Sequence, residues 1–210
     1  SEEFDNSYWQ KGFSSIVPNQ ATAPNNTFTA DKLVENSTLQ QHYIWKLEPV
    51  TAGVTYTKSC YVKAAERSAV SIQFSSYNST FANENVAFDL STGSVIGTPS
   101  AGLVDYDIDP VGNGWYRIYA SATAGATNST INSVVFLNNG STFYYTGDGT
   151  SGVYIWGAQL EESSTATPYV KSDVTWSSRA SNATYYDKDG VLRKSSYNLL
   201  VRSEEFDNAS

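Results

Sequence analysis

The chain has no methionine, one cysteine and one histidine in 210 residues, and each scarcity excludes something. A single thiol, Cys60, rules out an intramolecular disulfide framework. With His42 as the sole imidazole, neither a Cys/His zinc site nor a histidine-based nucleophilic triad with a thiol can be assembled from the usual inventory. Cys60 lies in VTYTKSCYVKAA and reads as a buried core thiol, and His42 in LQQHYIWKL as an ordinary strand residue. Charge is sparse as well: 16% of residues, with 13 Lys and Arg against 21 Asp and Glu, for a net charge of -8. That balance argues against nucleic acid, whose phosphates need clustered cations, and against an anionic membrane surface. No apolar run is long enough to span a bilayer. The start lacks the basic and apolar segments of a signal peptide, and without an initiator Met the chain reads as an internal or processed piece. The G-x-S-x-G, P-loop and G-x-G-x-x-G patterns are absent too, so no enzymatic activity is expected.

What the chain has is aromatic and turn chemistry: 15 Tyr, 9 Phe and 5 Trp set among Asn, Ser, Thr and Gly. β-formers punctuated by turn-formers are what many short strands require. Strand signals recur at 41–48, 54–64, 69–75, 85–90, 103–109, 115–122, 132–138 and 153–161, separated by STGS, PVGNG, NNGS and GDGTSG. In 54–64, Val54, Tyr56, Cys60 and Val62 share one face, and Lys58 interrupts it in a way that suggests a sheet edge. Residues 29–35 fit either a short strand or a helical turn. No window carries a sustained 3.6-residue period. The expected fold is all-β, a two-sheet antiparallel β-sandwich of jelly-roll type followed by a small hairpin around Asp189-Gly190. The sandwich is expected over residues 1–175, a linker with the hairpin over 176–197, and the first strand of a further repeat over 198–210.

That last expectation rests on an internal repeat. Ser1-Glu2-Glu3-Phe4-Asp5-Asn6 returns unchanged as Ser203-Glu204-Glu205-Phe206-Asp207-Asn208. An identity of this kind is the signature of a tandem array. The second copy follows Asn198-Leu199-Leu200-Val201-Arg202, so Asn198, Leu199, Leu200, Val201 and Phe206 are the expected assembly residues. They would pack against neighbouring copies or repeats of the same protein through strand-edge pairing.

Several blocks carry a family likeness: NLLVRSEEFDNAS, TAPNNTFTADKLVE, YTKSCYVKAAERS, GNGWYRIYASAT, and DGTSGVYIWGAQLEE with ATPYV. In this order and spacing, over roughly residues 1–170, they resemble a module of bacteriophage tail-fibre, head-fibre and other virion structural proteins. That module is similar to jelly-roll carbohydrate-binding modules and to concanavalin-like sandwiches. The resemblance implies a virion-surface or extracellular location and a structural role, with cell-surface glycans as an alternative partner; it implies no particular ligand. The chain departs from the module at Lys58, which is usually apolar, and in the 77–86 loop.

Sugar rings stack their C–H faces on Trp and Tyr and take hydrogen bonds from amides. The candidate platforms are Trp9, Trp45, Tyr77, Tyr144 and Tyr145, while Trp115 and Trp156 read as core. Asp105, Asp107 and Asp109 alternate, so a strand places all three on one face. Two readings stand for them, a Ca²⁺ site built of carboxylate oxygens and a solvated strand face. Asp148, and Asp5 with Asn6, are further oxygen-rich positions. No other cofactor is expected.

Overall fold

The computed structural model describes residues 2–75, 83–125 and 129–171, together with strand segments at 184–186 and 192–194. Its ordered elements are strands, all of whose pairings are antiparallel. Among the described residues no helix is long and apolar enough to cross a membrane.

Two six-stranded sheets form the body. Sheet I runs in the order β1 (Gln10–Gly12), β5 (Tyr43–Val50), β12 (Ser129–Asn138), β7 (Ala69–Ser75), β8 (Glu84–Asp89) and β9 (Ser94–Ile96). Sheet II runs in the order β10 (Leu103–Gly112), β11 (Trp115–Thr123), β6 (Thr55–Ala64), β14 (Gly152–Glu161), β3 (Ala30–Glu35) and β2 (Ser14–Ala21). A ribbon of β4 (Leu39–Gln41) and β13 (Tyr144–Thr146) lies beside them in sequence, and β15 (Thr184–Tyr186) pairs with β16 (Leu192–Lys194). The chain crosses between the sheets again and again, as in a jelly roll.

The expected sandwich is therefore present, and the undecided segment 29–35 is strand β3. The expected hairpin is the β15–β16 pair, while its Asp189-Gly190 turn and residues 198–210 lie outside the described residues. β1, β2, β4, β9 and β13 had no clear signal. Four are three residues long, and β2 is interrupted by Pro18 and shifts register between Val17 and Ala21.

Alternation decides what lies between the sheets. Tyr56, Cys60 and Val62 of β6 and Ile118, Ala120 and Ala122 of β11 point inward from sheet II. They meet Val70, Ile72 and Phe74 of β7 and Ile131 and Leu137 of β12 from sheet I. Cys60 is buried and free as expected, and burial pushes its thiol up to about 12.

Lys58 corrects the sequence reading. It sits on β6, third of the six strands of sheet II, with β11 and β14 on either side, and is almost wholly buried. Its stem spans the core. The side-chain nitrogen donates to the backbone carbonyls of Gln73 and, at 2.7 Å, Asn132, and it stands 4.1 Å from the centre of the Phe74 ring. A lysine tolerated on a core-facing position is thus one whose head group is received by the main chain of the opposite sheet. Loss of hydration lowers its pKa well below the usual lysine range.

The free edges are blunted. Edge strand β10 carries Asp105, Asp107, Asp109 and Pro110, edge strand β2 carries Pro18, and β1 and β9 are short. Charge, proline and brevity are the ordinary means of discouraging edge-to-edge pairing.

Candidate binding face

The outward side of sheet I is read directly from its register. Gln10, Trp45, Gln73 and Asn85 fall in one row of its register. Leu47, Asn132 and Ser75 form the next, and Gly12, Tyr43, Phe136, Ser71 and Ala87 the one on the other side. The last row is a packed footing. Tyr43 lies 5.0 Å from Phe136, and Phe136 lies 5.2 Å from Phe143. The Tyr43 ring lies where a Cβ on residue 12 would be, which only glycine permits.

The other two rows hold no charged residue. Trp45 is partly exposed, with Gln10, Gln73, Asn85 and Ser75 nearby and none of them fully buried. Asn132 donates from Nδ2 to Ser75 Oγ at 3.3 Å, while its Oδ1 is buried with no hydrogen-bond partner. A flat, partly exposed indole edged by amides offers a stacking face with hydrogen-bonding groups around it.

The outward side of sheet II is built differently. Trp115 and Trp156 pack with Ala23, Ala30, Tyr61, Tyr154 and Tyr169 into a second, smaller apolar cluster. Two segments of the chain close over it. The 22–29 loop is tied down by Trp115 Nε1 donating to Thr22 O at 2.9 Å and Trp156 Nε1 donating to Thr29 Oγ1 at 3.3 Å. The 163–170 segment is clamped by Glu161, which accepts from Thr167 N–H and Oγ1–H at 3.0 and 2.5 Å, and by Gln159 Oε1, which accepts from Val170 N–H at 2.8 Å. Gly157, with φ of +61°, makes the bulge in β14 beside the Tyr61 and Tyr169 rings. Trp115 and Trp156 are thus core, as expected, but of this second cluster.

Asp105, Asp107 and Asp109 stand on the same side of sheet II, opposite Ser121, Tyr119 and Arg117. The sequence placed them on one face correctly. Asp105 accepts from Tyr119 Oη–H at 3.0 Å and Asp107 from the Ile108 N–H at 2.8 Å. Among the described residues, no three His, Cys, Asp or Glu side chains come together as a metal-holding group. Arg117 donates to Ser59 Oγ at 2.9 Å and stacks over Tyr61, with its Nε left unpaired.

Two of the candidate platforms are not platforms. Trp9 is 4% exposed, 5.0 Å from Phe4 and edge-on to Tyr8, because the opening segment turns into the core. Tyr145 is 6% exposed and donates to Glu35 Oε2 at 2.7 Å. Alternation on the short strand β13 sends it inward and leaves Tyr144 outward, 49% exposed, near Leu39 at 54%. Tyr77, Asn198, Leu199, Leu200, Val201 and Phe206 lie outside the described residues. Asp148 spends its oxygens on its own turn, accepting from Thr150 and Ser151. His42 is buried, with both ring nitrogens facing carbonyls, those of Phe13 at 2.7 Å and Tyr145 at 3.2 Å.

The polar centre that the sequence did not reveal is Glu35. Its side chain is fully buried and accepts from Arg67 Nε at 2.9 Å and Nη2 at 2.5 Å, from Tyr145, and from the Asp148 N–H at 2.8 Å. Burial alone would raise its pKa, but the hydrogen bonds from Arg67, Tyr145 and Asp148 together outweigh it and hold the carboxyl below its ordinary value. Nothing in LVEN marks this role, since the partners come from residues 67, 145 and 148.

No family model matches the chain, and no curated protein matches it. Among solved structures, it is similar to the enzymatically active domain of tailspike protein 4 of bacteriophage CBA120, at 13% identity and a TM-score of 0.41 over 76% of this chain. It is also similar to the CBM22-1–GH10 modules of endo-1,4-β-D-xylanase 10B from Clostridium thermocellum, complexed with xylohexaose, at 18% identity and a TM-score of 0.42 over 79% of this chain. The aligned region is 20% and 28% of those two chains. At these scores neither likeness carries an argument about what this chain binds or does; the sandwich rests on its own strand pairings.

Proposed function

We propose that the chain is a non-catalytic repeat module of an extended virion protein, a fibre or a surface decoration, working outside the cell and assembling with neighbouring modules. The observation that carries this reading is the place of the repeated hexapeptide. Phe4, at its centre, is 1% exposed and belongs to the main core. A stretch that returns 202 residues later is therefore an integral piece of a folded unit, as expected of a module boundary in an array. The resemblance to virion modules points the same way. Size-exclusion chromatography with light scattering, followed by electron microscopy of the isolated chain, tests it. End-to-end oligomers or filaments are expected, and a monomer at every concentration would count against it.

A second reading is favoured by the open side of sheet I, namely recognition of an uncharged cell-surface polysaccharide across Trp45, Gln73 and Asn132. The two are compatible, because a fibre module can also hold a glycan. A glycan array read with the intact chain and with Trp45→Ala separates them: binding that disappears in the variant supports recognition, and no binding by the intact chain leaves only assembly.

A further inference from the structure

We infer that Asp105 and Asp107 seal the free edge of β10 by occupying its main-chain donors, so that no strand of a second copy can add to sheet II on that side. This holds whether or not modules associate, and where they do it sends the contact to another surface.

Register decides which groups of β10 face out. A strand turns its N–H and C=O groups alternately to its two sides. Between Asp105 and Pro110 the pairing of β10 with β11 is regular, with irregularities only beyond those two residues. Pro110 pairs with Tyr116 yet has no N–H to exchange with it. Theirs is therefore a pair without hydrogen bonds of its own, and the bonds to β11 lie at the Asp109–Arg117 pair beside it. Asp107 and Asp105 share the orientation of Asp109. Tyr106, Ile108 and Pro110 then turn their main chain to the free side, because β10 ends the strand order of sheet II.

On an ordinary edge the N–H groups of Tyr106 and Ile108 would be open to an incoming strand. Here Tyr106 N–H donates to Asp105 Oδ1 at 2.9 Å, and Ile108 N–H to Asp107 Oδ1 at 2.8 Å. Pro110 has nothing to donate. From 106 to 110 the edge thus offers only acceptors, while a ladder needs donors and acceptors from both strands. A strand laid here would leave its own carbonyls unmet. The edge is also one that needs closing: at 10 residues it is as long as any described strand, and Val104 and Tyr106 are 53% and 39% exposed. Asp109 separates capping from mere charge, since the residue after it is a proline with no N–H to cap.

Two measurements on the full chain test the seal. In amide hydrogen exchange, Tyr106 and Ile108 should exchange about tenfold faster in Asp105→Ala/Asp107→Ala than in the unaltered chain. In sedimentation equilibrium the same variant should self-associate about tenfold or more tightly. Asp105→Asn/Asp107→Asn keeps an acceptor oxygen at each position and should stay close to the unaltered chain, as should Asp109→Ala. If the double alanine variant does not fold, Asp107→Ala alone leaves the contact of Asp105 with Tyr119 in place and reads the Ile108 amide. Equal gains from Asp109→Ala, or from the asparagine variant, would show that charge alone keeps strands away and would overturn the seal. Exchange at 106 and 108 that ignores both alanine substitutions would overturn it as well. An unaltered chain that is monomeric, with a double variant that associates, would keep the seal and count against the module reading.

Discussion

The two sheets share one core but treat their outward faces in opposite ways. Sheet II covers its own: the 22–29 loop and the 163–170 segment lie over Trp115 and Trp156, and hydrogen bonds from both indoles and to Glu161 and Gln159 hold the cover down. Sheet I leaves Trp45 and a row of amides open. The strands under that cover are β3, β6, β11 and β14, and the cover itself comes from residues 22–29 and 163–170. The lesson is that outward-facing tryptophans of one sandwich serve different ends: Trp115 and Trp156 are buried under chain segments, and Trp45 stays partly exposed.

The contrast is broken most severely on the closed side. Trp156→Ala removes the centre of the second cluster and the tie to Thr29, and should destabilise the fold by about 3–5 kcal/mol in urea or thermal unfolding. A loss below about 1 kcal/mol would mean that the cover adds little and that both faces are effectively open. Tyr145→Phe comes next. It deletes one donor to the buried Glu35 carboxylate, and the expected cost is about 1–3 kcal/mol.

Acid should act through Glu35 and Lys58 together. Glu35 has a folded-state pKa below its ordinary value, so its contribution is present above that value and is lost as pH falls through the lowered one. Lys58 is likewise lowered, because its desolvated amine favours the neutral form. The folded state therefore loses stability as pH falls towards and through the lowered lysine pKa. Asp31 and Glu48 run the other way: both are raised by burial, and their contribution is lost as pH rises through the raised values. Lys58→Met removes one titrating group from this sum. The stability-against-pH curve of the variant should be flatter, by up to about 1.4 kcal/mol per pH unit, from the ordinary lysine value down to the lowered one. An unchanged slope would show that Lys58 keeps its proton in the core.

How much of this was legible depended on the range of the interaction. Long alternating strands, such as 54–64 and 153–161, announce themselves because period 2 is a local property. The same rule put Asp105, Asp107 and Asp109 on one face. It misplaced Lys58, because burial on a central strand depends on what the opposite sheet offers the amine. Trp9 was unreadable for a similar reason: the segment before it is neither strand nor helix, so no period says that it turns inward. Tyr144 and Tyr145 are neighbours in sequence with opposite fates, decided by a three-residue ribbon too short to signal itself. Glu35 draws its partners from three distant segments, which no local pattern encodes.

The smallest expected effect on stability is also the one that isolates the open face. Trp45 lies on the outward side of β5, away from the core that Ile44 enters from the same strand. Trp45→Ala should therefore cost roughly 1 kcal/mol or less, since a partly exposed ring forfeits only part of the free energy of a buried one. If the face holds a neutral glycan, the same substitution should remove most of the affinity, because stacking on an indole is not replaced by the surrounding amides. A large stability loss would place Trp45 in the fold rather than the face, and the distinction between a closed and an open sheet would then fail. Little change in stability with lost binding in affinity electrophoresis would mean that the open side of sheet I serves a ligand and not the fold.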